Sequence, residues 1–202
     1  MYHIEKRLHL QEVICYTPNR CKYNGEFVTI LTLIKTKENL IMKNKRVQFM
    51  TQAAMIATIY VVLTVVFAPF SFGQVQVRIS EALTILPYFT PAAIPGLYVG
   101  CFIGNIIGGA ILPDIIFGSL ATLIGAVFTY LLRNTNKFLA PVPAIVSNTV
   151  IVPFVLYYAY GITLPIPILM LGVGVGELIS CGLLGMILLT ALQKHRYKIF
   201  KN

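Results

Sequence analysis

The stretch AAIPGLYVGCFIGNIIGGAI, residues 92–111, decides the fold class. It carries no charge, and about 20 apolar residues is the length a helix needs to cross a bilayer. Its glycines Gly96, Gly100, Gly104 and Gly108 recur at every fourth position. That spacing lines them along one helix face, where a missing side chain lets a neighbouring backbone approach closely in a solvent that offers no hydrophobic drive for association. Gly172, Gly176 and Ser180 repeat the interval near the other end of the chain. A helix that is apolar all round is buried in protein or lipid rather than floated in water.

Working outward, apolar runs follow one another, separated by proline, glycine and charge. Val47 to Phe67 is closed by Ala68-Pro69, and a loop with Gly73 leads to a short segment from Ile79 to Phe89, bounded by Pro87 and Pro91. After residues 92–111 come Asp114 to Leu132, Val142 to Tyr160 and Pro167 to Gln193. The pattern predicts an all-α integral membrane protein, a six-helix transmembrane bundle whose second helix is short or irregular. Composition agrees: 57% of residues are hydrophobic and 11% charged, with a mean hydropathy of +0.78, against roughly 45–50% and about 25% in soluble domains.

Residues 1–41 read differently. They are mixed and polar, contain Pro18 and Gly25, and their longest apolar stretch, Phe27 to Ile34, is too short to span. They lack the small-residue cleavage site that follows a signal-peptide core. The expectation is a weakly ordered leader at 1–41, an appendage or an upstream extension of the reading frame, with Met42 a natural start and residues 42–202 forming the membrane domain.

The formal charge of +9 is carried at segment ends. Lys43, Lys45 and Arg46 precede the first long run, Arg133 and Lys137 lie between the fourth and fifth, and Lys194, His195, Arg196, Lys198 and Lys201 close the chain. This is a membrane-topology pattern and not a basic face for nucleic acid. Six crossings put all three basic regions on one side, whereas five would separate them. The chain is therefore expected in the cell membrane, multi-pass, with both termini cytoplasmic.

Catalytic apparatus is not legible. Cys15, Cys21, Cys101 and Cys181 have no zinc-type spacing, and His3, His9 and His195 lie outside the apolar runs. No phosphate-cradling Gly-x-x-x-x-Gly-Lys-[Ser/Thr] loop is present, and no serine stands beside a plausible base in a known motif. Neither an enzyme nor a cofactor or metal site is expected, and without that loop the chain cannot cradle ATP phosphates itself.

The rare charges are the informative residues. From Met42 onward the acids are Glu81, Asp114 and Glu177, and Arg78 is the base away from the basic ends. An unpaired charge at membrane depth costs at least about 2.5–3.5 kcal/mol, so each needs a partner or a watery cavity. Arg78 and Glu81, three apart, are spaced to pair with one another. Asp114 after Pro113 is placed either to cap a helix or to bind ligand. Glu177, deep in a glycine-rich run, points to binding. One base against three acids suits a cationic ligand or one rich in N–H donors. Asn105 and Asn148 add amides inside the runs, Gln74 and Gln76 lie in the outer loop, and Tyr88, Phe89 and Tyr98 are aromatic enough to stack a flat ring.

The segments SFGQVQVRISEALTILPYFTPAAIPGLYVGCFIGNIIGG, DIIFGSLATLIGA and VGVGELISCGLLG resemble the QueT family over roughly Met42 to Gln193. Members are S components, the substrate-binding subunits of energy-coupling-factor importers. The resemblance implies capture of a 7-deazapurine precursor of queuosine, of 7-deazaguanine type, with a membrane T component and two ATPase subunits as partners. It also implies that Ala53 and Ala57 match the Ala-x-x-x-Ala surface on which the T component docks. Arg78, Glu81, Asn105, Asp114, Asn148 and Glu177 are the expected substrate-binding set. Glu81 or Glu177 would take the base edge and Asp114 an aminomethyl cation or a cap, with the two asparagines trimming specificity. The alternatives are an S component for another vitamin such as a flavin or biotin, a stand-alone secondary transporter with Glu177 carrying protons, and a structural membrane protein without ligand.

Overall fold

The computed structural model of the chain describes residues 26–68 and 77–199, with side chains for 44–68 and 77–194. It divides into two compact units, Met1–Lys45 and Arg46–Asn202, and the packing discussed below belongs to the second. The elements are α1 (Glu26–Val66), α2 (Ile79–Tyr88, a 3-10 helix), α3 (Ala93–Ile107), α4 (Leu112–Leu132), α5 (Val142–Tyr158), α6 (Ile166–Glu177) and α7 (Gly185–Ile199). A short 3-10 turn, Lys137–Leu139, leads into α5, and a π-helical turn, Leu178–Leu184, joins α6 to α7. Among the described residues there is no strand.

Four stretches are long and apolar enough to cross a membrane: Asn44–Val66, Leu112–Leu132, Lys137–Tyr158 and Ile166–Lys194. Helix α3, at 15 residues, is shorter. It stops at Ile107, where the sequence pattern suggested Ile111, because Gly109 adopts a φ of +77° that favours glycine. The N–H of Ala110 returns to Asn105 O at 2.9 Å and that of Gly109 to Ile106 O at 3.2 Å, the two bonds of a Schellman cap. Helix α5 likewise ends at Tyr158, short of the expected Tyr160, with Gly161 at a φ of +66°. At the other extreme, α1 starts at Glu26, inside the stretch expected to be a leader. Residues 1–25, including His3, His9, Cys15 and Cys21, lie outside the described residues, as do Gln74 and Gln76.

The bundle is inside-out relative to a soluble protein. Large apolar side chains face outward, among them Met55, Ile59 and Val62 on α1, Phe117, Ile124 and Phe128 on α4, and Leu171 and Val175 on α6. The buried set is rich in Thr64, Arg78, Ser80, Glu81, Asn105, Asp114, Thr122, Asn148, Glu177 and Ser180. Apolar exposure on this scale needs lipid around it. The polar residues turn inward because each unsatisfied polar group in hydrocarbon costs several kcal/mol.

Glycines decide which helices meet. A Cβ on Gly96 would lie 2.7 Å from the backbone oxygen of Ala53, and one on Gly100 would lie 3.1 Å from Ala57 Cα and 2.8 Å from Tyr60 Cβ. The ridge on α3 therefore receives Ala53, Ala57 and Tyr60 of α1, with Thr64 opposite Gly104. On α4, Gly125 admits Ala144 of α5, whose Cα a Cβ would approach to 2.7 Å.

Helix α2 is the irregular element expected from its prolines. Every residue from Ser80 to Pro87 is buried, with Pro87 inside the helix. A 3-10 run longer than three or four residues is uncommon and often marks strain or function. Here it threads between the other helices and carries Glu81 to the centre.

Candidate functional site

The centre is built around two buried carboxylates on different elements. Glu81, in the first turn of α2, accepts the hydroxyl of Tyr60 from α1 at 2.5 Å and that of Thr122 from α4 at 3.2 Å, both on Oε1. Its Oε2 is buried and has no hydrogen-bond partner among the described residues. Glu177, the last residue of α6, accepts from Asn148 Nδ2 of α5 at 3.0 Å on Oε1 and from Cys181 Sγ at 3.0 Å on Oε2. The Cys181 thiol also lies 3.4 Å from the backbone oxygen of Glu81 and from Thr84 Oγ1.

One carboxylate oxygen each from Glu81 and Glu177 and the Cys181 sulfur all lie within 4.8 Å of one another. These are metal-ligand atom types, and here the Cys181 sulfur lies within hydrogen-bond distance of Glu177 Oε2 and of the Glu81 backbone oxygen. The arrangement is a hydrogen-bonded network with one open acceptor.

A second cluster stands beside it. Arg78, at the N-terminus of α2, pairs with Asp114 of α4, Nη2 to Oδ2 at 3.4 Å, both side chains buried. Tyr160, in the loop after α5, donates to the same Oδ2 at 3.1 Å and accepts the N–H of Ile111 at 3.4 Å. Asn105 reaches Cys101 Sγ at 3.6 Å and the backbone oxygen of Asp114 at 3.5 Å. Room for this convergence comes from Gly118, where a Cβ would lie 3.0 Å from Asp114 Oδ1 and 3.4 Å from Asn105 Nδ2. Thr122, which donates to Glu81, also reaches Cys101 at 3.5 Å, so the two clusters share a wall.

Two expectations change. The spacing of Arg78 and Glu81 suggested a pair, yet the ion pair that Arg78 forms among the described residues is with Asp114, because Arg78 sits at the N-cap position of α2 and points toward the start of α4. Asp114 does not cap α4 either; the N-cap is Ile111, without a side-chain cap bond, and Asp114 Oδ1 has no hydrogen-bond partner among the described residues. The other acids and both asparagines all come together. Arg78 is matched by Asp114, leaving the pair Glu81 and Glu177 as the net negative part of the cluster.

The aromatics expected to stack a ring pack elsewhere. Tyr88 and Phe89 meet edge to face at 5.3 Å beside Ile85, Ala140 and Leu189, and Tyr98 lies against Phe102. Ala53 and Ala57 are half-buried against the α3 glycines. The sequence reading missed Tyr60, Thr122, Cys181, Tyr160 and Gly118. A signal existed for two of them. Tyr60 interrupts an apolar run four residues before Thr64, and Cys181 follows Glu177 by four, the spacing of one helix face.

No solved structure matches the chain. The "Queuosine precursor transporter QueT" of Lactococcus lactis subsp. cremoris (strain MG1363) is 32% identical over 85 residues, which is 41% of this chain and 50% of that protein. The similarity thus spans about half of the relative's length. The profile described as "QueT transporter" matches residues 50–194, a range that holds Tyr60, Arg78, Glu81, Asn105, Asp114, Asn148, Tyr160, Glu177 and Cys181. The chain belongs to the QueT transporter family.

Proposed function

We propose that the chain is the substrate-binding S component of an energy-coupling-factor importer and that it captures a 7-deazaguanine-type precursor of queuosine between Glu81 and Glu177. Family membership supports transport, and the name of the relative supports the ligand. The observation that carries the reading is Glu81 Oε2, a fully buried carboxylate oxygen with no partner among the described residues. A guanine-like edge offers adjacent N–H and NH2 donors. Oε1 of Glu81 already accepts two hydroxyls, so Oε2 takes one ligand donor and Glu177 the other. Charge-assisted bonds of this kind contribute roughly 1.5–3 kcal/mol each.

The remaining residues fall into supporting roles. Asp114 keeps α2 in place through Arg78, and its Oδ1 is a second acceptor, suited to an aminomethyl cation. Asn148 orients Glu177, and Asn105 ties α3 to the start of α4. Six crossings, with the basic ends cytoplasmic, face this cluster outward. Hydrolysis belongs to two ATPase subunits, and a T component docks on α1, where the exposed edges of Ala53 and Ala57 remain beside their contacts with Gly96 and Gly100.

Thermal unfolding of the purified protein with deazapurines, flavin and biotin tests the ligand class. A ligand at about 100 times its Kd stabilises the protein by about 2.7 kcal/mol. A rise in Tm with a deazapurine and none with the vitamins is expected; the reverse overturns the ligand assignment. Uptake by this chain alone, abolished by an uncoupler, would instead identify a proton-driven carrier.

A further inference from the structure

The candidate binding residues are closed off. Glu81 is 0% exposed, Asp114 1% and Glu177 4%, so a ligand reaches them only if some part of the bundle moves. The apolar cavities of about 510 and 270 Å³ on the α4–α5 face give no route, since neither is lined by any of the three. The part that moves should be one with few ties to the rest of the fold, because local opening is drawn from the least stable segments.

Residues 159–165, the loop between α5 and α6, fit that description. Their backbone N–H bonds are local: Ala159 and Tyr160 return to Val155 O, and Ile162 to Leu156 O, all on α5. Gly161, Thr163, Leu164 and Pro165 are exposed, while Ile162 packs on Val152, Leu156, Leu169 and Val173 of the two flanking helices. Among the described residues, the hydrogen bonds that tie this loop to another part of the bundle meet at one atom. The Tyr160 hydroxyl donates to Asp114 Oδ2 at 3.1 Å and accepts the N–H of Ile111 at 3.4 Å. Asp114 carries the link onward to Arg78, three residues before Glu81. A glycine stands on each side of the contact: Gly109 and Gly161 take φ of +77° and +66°, and nothing lies within 4 Å of where their side chains would begin. Glycine adopts such angles without steric cost, which lets both segments pivot.

We infer that Tyr160 is the latch of the binding site: its hydroxyl holds the α5–α6 loop against the start of α4, and release of that contact lets the loop swing away and admits ligand to Glu81 and Glu177. The latch lies at the end of the bundle opposite Arg133 and Lys137, where α4 begins and α5 finishes. Tyr160 is 39% exposed whereas the acids behind it are buried, so water competes for the hydroxyl and the contact opens without unfolding the core. Admission of ligand rests on the reading that the ligand sits between the two glutamates; the closure itself does not.

Cys181 reports opening without any ligand. Its thiol is buried between Glu177 and the backbone of Glu81, so it reacts with a maleimide only while the site is open. The full chain in detergent is treated with N-ethylmaleimide at one pH, and modification of Cys181 is followed by peptide mass. Tyr160→Phe keeps the ring and removes the hydroxyl, and labelling of Cys181 is expected to run about tenfold faster than in the wild type, the effect of losing a hydrogen bond to a carboxylate. Gly96→Ala lowers global stability without touching the loop and is expected to leave the rate unchanged. In rapid filtration with radiolabelled 7-aminomethyl-7-deazaguanine, association and dissociation should both be about tenfold faster in Tyr160→Phe, with Kd nearly constant.

Equal labelling of Cys181 in the wild type and Tyr160→Phe would overturn the latch. So would equal acceleration by Gly96→Ala, which would show that the thiol is reached by global unfolding. A weaker Kd carried by dissociation alone would make Tyr160 a ligand contact and overturn it as well. Absence of ligand binding to the wild type, with Cys181 still released by Tyr160→Phe, would support the closure and sink the substrate assignment instead.

Discussion

The Tyr60 hydroxyl donates to Glu81 Oε1 at 2.5 Å, a bond that joins the first helix to the 3-10 helix α2 across 21 residues of sequence. Both side chains are buried. Glu81 is thereby held from α1 as well as from α4, and its other oxygen is left open. Tyr60→Phe removes the donor and retains the ring that packs on Gly100. The expected result is a loss of deazapurine affinity of about tenfold, in line with roughly 1.5–3 kcal/mol for a hydrogen bond to a charged group. Isothermal titration of the variant measures it.

The buried pair of Arg78 and Asp114 should behave asymmetrically. Removing one partner strands a charge in a low-dielectric interior, at a cost of about 3–5 kcal/mol, whereas replacing both by apolar residues of similar volume is often neutral. Arg78→Met and Asp114→Leu alone should each lower Tm strongly, and the double variant should recover much of the loss. Thermal melts in a single detergent decide this. A double variant as unstable as the sum of the two would show that the pair does not act as a unit.

Tyr160 lies in the loop beyond α5, where partial burial and then the neighbouring Asp114 raise its phenol above the ordinary value of 10.0. A raised folded-state pKa contributes stability that is intact below the unfolded value and lost as pH climbs through the folded one. The bond to Asp114 should therefore persist through neutral and mildly alkaline conditions. Ultraviolet titration is expected to find a phenol ionising above the usual tyrosine range whose contribution is lost in Tyr160→Phe.

Glycine substitutions separate close approach from backbone need. Gly96→Ala puts a methyl 2.7 Å from the backbone oxygen of Ala53, which has no rotamer with which to yield, and should destabilise by about 1–3 kcal/mol. Gly182→Ala meets only the end of Ile145 at 3.8 Å, and should be neutral or gain up to about 1 kcal/mol from helix propensity. Paired denaturation curves check the contrast.

The bundle itself was readable because bilayer length and the four-residue glycine interval are periodic, local properties. Gly96, Gly100 and Gly104 announced a packed face, and that face is occupied by Ala53, Tyr60 and Thr64. The candidate site was readable only as a set of residues. Acids and amides in apolar runs are costly enough to stand out, which singled out Glu81, Asp114, Asn148 and Glu177. Their partners were not readable, since pairing depends on the 3-10 path of α2 and the π-turn after Glu177, neither of which has a periodic signature. Hence Arg78 was matched to Glu81 on spacing, while the fold gives it Asp114. Tyr160 and Gly118 escaped notice because a loop tyrosine and a helix glycine have many uses that only three-dimensional neighbours distinguish.

The central claim is that a buried, half-satisfied carboxylate on α2 reads the ligand, and Glu81→Gln tests it most directly because the amide keeps the shape and removes the charge. Binding of a 7-deazaguanine precursor should be measured by isothermal titration for the wild type and Glu81→Gln, each confirmed folded by its melting curve. A loss of about tenfold or more in affinity, with Tm of the ligand-free protein retained or raised, is the predicted result. Wild-type affinity in the folded variant would contradict the account.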